Sequence, residues 1–235
     1  MKKPYLKKFI TIDDLTVWVV DGQHIRTHID EEFTNFGQHY SFKFIPKKEL
    51  WIDQEHAFGE IEYFIDHLLV ERRLMAEGRS YSYALKAADK REKRERRIMD
   101  IGKRHLESLR NPEQKETLFR KIHKKLLKKY SRHGIQIWIV DGELVRDFFF
   151  IDFTEGGHDK VYPFIPFGEV WIDDDLFPKE RRFVILHELH ERNRMFHGFA
   201  YPSAHREASK VEYAARRRPA TLETEIKREL LKEVV

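Results

Sequence analysis

The chain is written twice. Trp18-Val19-Val20-Asp21-Gly22 returns 120 residues later as Trp138-Ile139-Val140-Asp141-Gly142. At the same offset, without a gap, Phe44-Ile45-Pro46 meets Phe164-Ile165-Pro166 and Trp51-Ile52-Asp53 meets Trp171-Ile172-Asp173. His67, Glu71-Arg72, Met75, Gly78, Tyr81 and Glu92 meet His187, Glu191-Arg192, Met195, Gly198, Tyr201 and Glu212. About 30 of about 82 aligned positions are identical, far above chance for an ungapped pairing. A fold for this chain must therefore be built from a unit of roughly 110 residues, used twice.

Each repeat reads as α+β: a small antiparallel sheet followed by two helices. In the second repeat, Asp141-Gly142 predicts a hairpin turn between strands Trp138 to Val140 and Leu144 to Ile151. Gly156-Gly157 reads as a turn, with His158 in a loop. Further strands are expected around Tyr162 to Ile165 and Glu169 to Ile172. The period then changes, and a helix is expected from about Lys179 to Phe196, stopped by Gly198. Pro202 suits the first turn of a last helix, from about Ser203 to Arg217. Asp173-Asp174-Asp175 reads as an acidic N-cap or a cation site. The boundaries are 1-97 for the first repeat, 98-130 for a charged helical linker, 131-218 for the second repeat and 219-235 for a C-terminal helix. The two repeats are expected to pack about a pseudo-twofold axis.

Composition excludes several chemistries. The 235 residues contain no cysteine, which removes disulfides, thiolate metal sites and cysteine nucleophiles. No apolar run reaches the roughly 18 residues needed to span a bilayer. No secretory signal follows Met1-Lys2-Lys3-Pro4, so a cytoplasmic location and no membrane partner are expected. Nucleotide-binding glycine motifs and the Gly-x-Ser-x-Gly elbow are absent. The net charge of +4 allows nucleic-acid contact, and Lys121 to Arg132 with Arg216-Arg217-Arg218 are its candidate elements.

The densest group of reactive side chains is His187-Glu188-Leu189-His190-Glu191. On a helix, His187 and Glu191 stand one turn apart, about 40° around the axis, within reach of a single ion. Glu188 is rotated by about 100°, where it could hold a water instead. This stretch resembles the zincin-like metallopeptidases, in a short apolar helix, the strand before it from Glu169 to Asp173 and a second helix behind it. The resemblance implies that His187 and Glu191 are metal ligands and Glu188 the general base, with a third ligand downstream. Glu212 and His205 both qualify, and lie seven apart on one helical face. Tyr201 would donate to a developing oxyanion. The implied cofactor is a divalent metal, zinc first, and the implied substrate a peptide or protein. The chain departs from the family in carrying Glu191 where the second metal histidine stands. A histidine with carboxylates also suits manganese or iron.

The first repeat is an internal control. It keeps His67, Glu71, Tyr81 and Glu92 but has Leu68, Val70 and Leu85 where the second has Glu188, His190 and His205. Leucine cannot move a proton, so the first repeat is expected to lack the base. The shared trio could equally brace two helices, which makes a non-enzymatic structural or nucleic-acid-binding module the rival reading.

Overall fold

The computed structural model describes residues 3–55, 59–98 and 112–232. The chain divides into two compact units. Unit 1 is Met1–Lys115 with Phe150–Asp152, and unit 2 is Glu116–Phe149 with Phe153–Val235.

Unit 1 contains β1 (Tyr5–Ile12), β2 (Leu15–Val20), α1 (Gly22–His28), β3 (Phe36–Gln38), β4 (Glu49–Asp53), α2 (Ile61–Ala76) and α3 (Tyr81–Ile98). Helix α4 (Pro112–Ile122) spans the boundary. Unit 2 continues with β5 (His123–Leu126), β6 (Gln136–Val140), α5 (Gly142–Phe148), β7 (Gly156–His158), β8 (Glu169–Asp173), α6 (Arg181–Phe196), α7 (Tyr201–Arg217) and α8 (Leu222–Leu231). The sheets have the orders β1-β2-β4-β3 and β5-β6-β8-β7. The registers of the inner pairs repeat residue for residue, Trp18 lying opposite Trp51 as Trp138 lies opposite Trp171, whereas the outer strand β5 is shorter than β1 and shifted by two residues. The expected α+β unit, used twice, is what the chain forms. No helix among the described residues is long and apolar enough to cross a membrane.

Helix α6 follows the expected span and Gly198 follows its end at φ +85°, where a Cβ would be strained. The apolar run Phe183–Leu186 is buried because α6 is packed on more than one side. Ile137, Ile139, Val170 and Ile172 of the sheet join Val184, Ile185 and Leu189 of the helix and Ile226 and Leu230 of α8 in one core. A helix covered in this way needs no clean polar stripe.

Several expectations are corrected. The Asp-Gly pair is not a hairpin turn. Asp141 caps α5, its side chain accepting from the Leu144 N–H at 3.0 Å, and neither Asp141 nor Gly142 has the positive φ that such a turn requires. Glycine is needed there because a Cβ on Gly142 would fall 2.1 Å from Asp173 Oδ2, and on Gly22 1.7 Å from Asp53 Oδ2. Those carboxylates are fixed by buried arginines: Arg146 reaches Asp173 at 2.6 Å, and Arg26 reaches Asp53 at 2.6 Å. The sheets are mixed rather than antiparallel, since α5 and β7 intervene and return β8 parallel to β6. Tyr162–Ile165 forms turns, with Tyr162 N–H on His158 O and Ile165 N–H on Tyr162 O. The strand lies instead at Gly156–His158, where packing demands the two glycines. A Cβ on Gly157 would meet the Tyr162 ring at 2.5 Å, and on Gly156 would meet Val184 at 2.9 Å.

The expected linker 98-130 contains strand β5, which pairs with β6, and so belongs to unit 2 in its latter part; residues 99–111 lie outside the described residues. The acidic triplet does not cap α6, whose N-cap is Glu180, but it is among the groups whose ligand atoms could hold an ion. Asp173 and Asp175 hold Arg146, and Asp174 holds Lys124.

Gly142→Ala should destabilise unit 2 by about 1–3 kcal/mol, the usual penalty for overpacking. The urea unfolding midpoint of the full chain measures it, and a variant as stable as the parent would show that the Asp173 carboxylate can move aside.

Candidate metal centre

Helices α6 and α7 bring four of the expected site residues together. His187, on α6, points Nδ1 at Glu212 Oε2 of α7, 2.8 Å away. Its other ring nitrogen, Nε2, lies 3.2 Å from His205 Nδ1 and 3.6 Å from Glu191 Oε2. His205 Nδ1 is in turn 2.7 Å from Glu191 Oε2. Three donor atoms thus face one another across 2.7 to 3.6 Å. The edges of a zinc tetrahedron are about 3.3–3.4 Å, given bond lengths near 2.0–2.1 Å. These residues are one of the groups whose ligand atoms could hold an ion.

The two candidates for a third ligand, His205 and Glu212, differ in direction. His205 faces the point where the other donors meet. Glu212 faces the far side of His187, accepting its Nδ1–H. With an ion bound, that hydrogen bond would hold the ring so that Nε2 gives up its proton and turns a lone pair inward, the partner arrangement of ligating histidines. Glu212 is itself held by the buried Arg216, which also reaches Glu180 at 2.7 Å. Although burial raises it, the Arg216 charge and the His187 hydrogen bond bring Glu212 down to about 2. Burial pushes His187 down, but hydrogen bonds to Glu191 and Glu212 carry it well above its ordinary value. Glu191, against its burial, is driven far below the carboxylate range by His158, His187 and His205.

His158 was expected in a loop, and the structure instead places it fully buried in β7, with Nε2 3.0 Å from Glu191 Oε1. Its signal in the sequence was weak: a lone histidine after two glycines. Glu188 is buried with little exposure, and its Cγ would be 3.2 Å from a Cβ on Gly156. Burial, with the Glu191 charge beside it, pushes Glu188 up to about 8. Tyr201 opens α7 and is 44% exposed, its ring 5.4 Å from that of His205. It therefore stands at the mouth of the centre. His197 lies past the end of α6, with Nδ1 on Asn193 O. His190 turns away from the centre and bonds Glu229 of α8 at 3.0 Å.

The first repeat retains the frame and lacks the centre. His67 Nδ1 bonds Glu92 at 3.0 Å, and Arg96 ties Glu92 to Glu60 as Arg216 ties Glu212 to Glu180. Leu68 and Leu85 take the places of Glu188 and His205, and Phe36 takes the place of Gly156. The Phe36 ring lies 5.1 Å from His67 and 4.8 Å from Phe64. Side-chain exposure falls from 12% at His187 to 1% at His67. His67 Nε2 has no hydrogen-bond partner and is 3.8 Å from Glu71.

These observations define a duplicated α+β protein with a buried His/Glu cluster able to hold a metal, found among the described residues in the second repeat. Comparison with known protein families, curated proteins and solved structures finds no match.

The first repeat gives a pH prediction. Burial lowers the His67 pKa, but Glu71 and Glu92 outweigh it and raise it from 6.5 to about 9. The folded value lies above the unfolded one, so this stabilisation is complete below about pH 6.5 and is lost as pH rises through 9. At most it is about 3 kcal/mol. Denaturant unfolding of unit 1 should weaken between pH 6.5 and 9, and His67→Leu should flatten that slope. An NMR titration placing His67 near 6.5 would contradict it.

Proposed function

We propose that the second repeat is a mononuclear divalent-metal centre that hydrolyses an amide bond. His187 Nε2, His205 Nδ1 and Glu191 Oε2 are the ligands. The convergence of these three donor atoms supports this most strongly, because the orienting partners Glu212 and His158 stand behind two of them. Two imidazoles with one carboxylate suit zinc first, with manganese or iron also compatible. A divalent ion in such a site acidifies water and polarises a carbonyl.

The protein's own groups would supply the rest. Glu188 sits beside the centre, where burial and the Glu191 charge raise its pKa; a divalent ion on the three donors would draw it back down and leave a carboxylate that can take and return a proton. Its proton would come from water and go to the departing amine. Tyr201, at the mouth, would donate to the oxygen that becomes negative as the carbonyl is attacked. Gly156 keeps the space beside Glu188 clear, where the first repeat has a phenyl ring. A peptide or protein substrate is what the resemblance to the zincin-like metallopeptidases implies.

The rival structural reading accounts for only part of the arrangement. The brace of Glu60, Arg96, Glu92 and His67 is complete without a base, so the matching four residues of the second repeat are explained by helix packing. Glu188, His205 and Gly156 are not. For nucleic-acid binding, several cations of the basic segments are committed elsewhere: Lys124 to Asp141 and Asp174, Lys129 to Glu223, and Arg216 to Glu180 and Glu212.

Elemental analysis of the purified chain should find one metal per molecule. His205→Leu, which installs the first repeat's residue, should lower zinc affinity by more than the roughly 10–100-fold typical of losing an outer partner. Glu188→Gln should keep the metal and abolish cleavage of a mixed peptide library. Wild-type protein that takes up no zinc, manganese or iron would end the metal reading. A Glu188→Gln variant that cleaves normally would end the assignment of the base.

A further inference from the structure

We infer that His158 is a positioning residue rather than a ligand: a neutral imidazole that donates its Nε2–H to Glu191 and so confines Glu191 to the ion through Oε2 alone. The inference rests on the metal reading above for its consequence, but not for its geometry.

Two contacts determine the ring's state. The backbone N–H of Lys160 donates to His158 Nδ1 at 3.2 Å. An acceptor at Nδ1 has a lone pair there, so in the neutral ring the proton is on Nε2. Nε2 lies 3.0 Å from Glu191 Oε1, and the N–H donates to that carboxylate. His158, Glu188 and Glu191 could also be taken as a second ion site, since their donor atoms lie within 4.8 Å of one another. Ligation through Nε2 would require the proton on Nδ1, opposing two N–H donors at 3.2 Å inside a fully buried strand. A buried donor without an acceptor is costly, which disfavours that arrangement.

The first repeat does the same job with different atoms. Gln38 occupies the equivalent position and is also fully buried. Its Oε1 accepts the backbone N–H of Tyr40 at 2.7 Å, and its Nε2–H donates to Glu71 Oε1 at 2.6 Å. Tyr40 is the counterpart of Lys160, and Glu71 of Glu191. A carboxamide and an Nε2–H imidazole share this pattern: an acceptor toward the backbone and a donor toward the helix. A glutamine has no ring nitrogen to offer a metal. The common property of the two residues is the hydrogen bond, and that bond is what positions the glutamate.

The test pairs His158→Gln with His158→Leu in the full chain, and reads zinc affinity by chelator competition together with the visible spectrum of the Co²⁺-loaded protein. His158→Gln should keep wild-type affinity and spectrum. His158→Leu, which leaves Glu191 Oε1 without its donor, should bind zinc about 10–100-fold more weakly. Should His158→Gln lose zinc as badly as the leucine variant, or alter the cobalt spectrum while remaining folded, His158 is a ligand and the inference is overturned. Unchanged affinity in both variants would also overturn it. A second measurement needs no metal: ¹⁵N-histidine NMR of the wild type should show His158 with its proton on Nε2. A proton on Nδ1 refutes the inference even if the protein binds no ion, and Nε2–H in a metal-free protein upholds the geometry while the metal reading falls.

Discussion

Arg216 cannot be buried alone. Its guanidinium has five donors and no means of losing its charge, so α6 and α7 must bring carboxylates to it. Glu180 comes from the residue before α6 and Glu212 from α7 itself. With one oxygen on Arg216, Glu212 presents the other to His187 Nδ1, and that bond decides which nitrogen of His187 faces inward. The helix pair, the tautomer and the donor geometry are one connected arrangement. Removing one member leaves a charge in a medium that does not solvate it. The same arrangement, Glu60–Arg96–Glu92–His67, stands in the first repeat, so it belongs to the fold before it belongs to any chemistry.

A second anchor ties the sheet to the helix. Strand β7 contributes only three residues, yet it carries Gly156 against Glu188 and His158 against Glu191. A strand this short can approach α6 closely because Gly156 has no side chain to keep it away, while Gly157 makes room for the Tyr162 ring. In the first repeat Phe36 follows the same backbone path and fills the space in front of His67. One strand position therefore sets whether the histidine below it is open or covered.

What could be read in the sequence was whatever depends on period and offset. The 120-residue repeat, the span of α6, the stop at Gly198 and the placing of His187, Glu191, His205 and Glu212 on two adjacent helices follow from spacing, because a helix maps spacing onto a face. What depended on tertiary contact was hidden. Asp141-Gly142 has the composition of a hairpin turn, but its glycine answers to Asp173, 31 residues on, and not to a positive φ. Strand β5 was hidden in a lysine-rich stretch because its contacts are backbone pairing with β6, the His123 ring against Trp138 and Trp171, and Lys124 on Asp141 and Asp174. His158 looked like a loop histidine because its partner, Glu191, is far along the chain. The choice between His205 and Glu212 needed a direction, and a sequence carries none.

The repeats differ at four linked positions: Phe36, Gln38, Leu68 and Leu85 against Gly156, His158, Glu188 and His205. Changed singly, most of them are costly. Glycine at position 36 alone would empty the volume of a phenyl ring, a loss of about 3–5 kcal/mol in a core. Glutamate at position 68 alone would bury a carboxylate beside that ring with no partner. The first repeat's set and the second repeat's set are each self-consistent, and intermediates between them are not. The first repeat's set also shows that the fold is complete without Glu188: Leu68 fills its place at no electrostatic cost, whereas burial beside Glu191 pushes Glu188 up to about 8. A chain that folds with leucine there gains nothing in packing by burying an acid. The strain at Glu188 is therefore the feature that packing does not explain, and it sits where three donor atoms already converge.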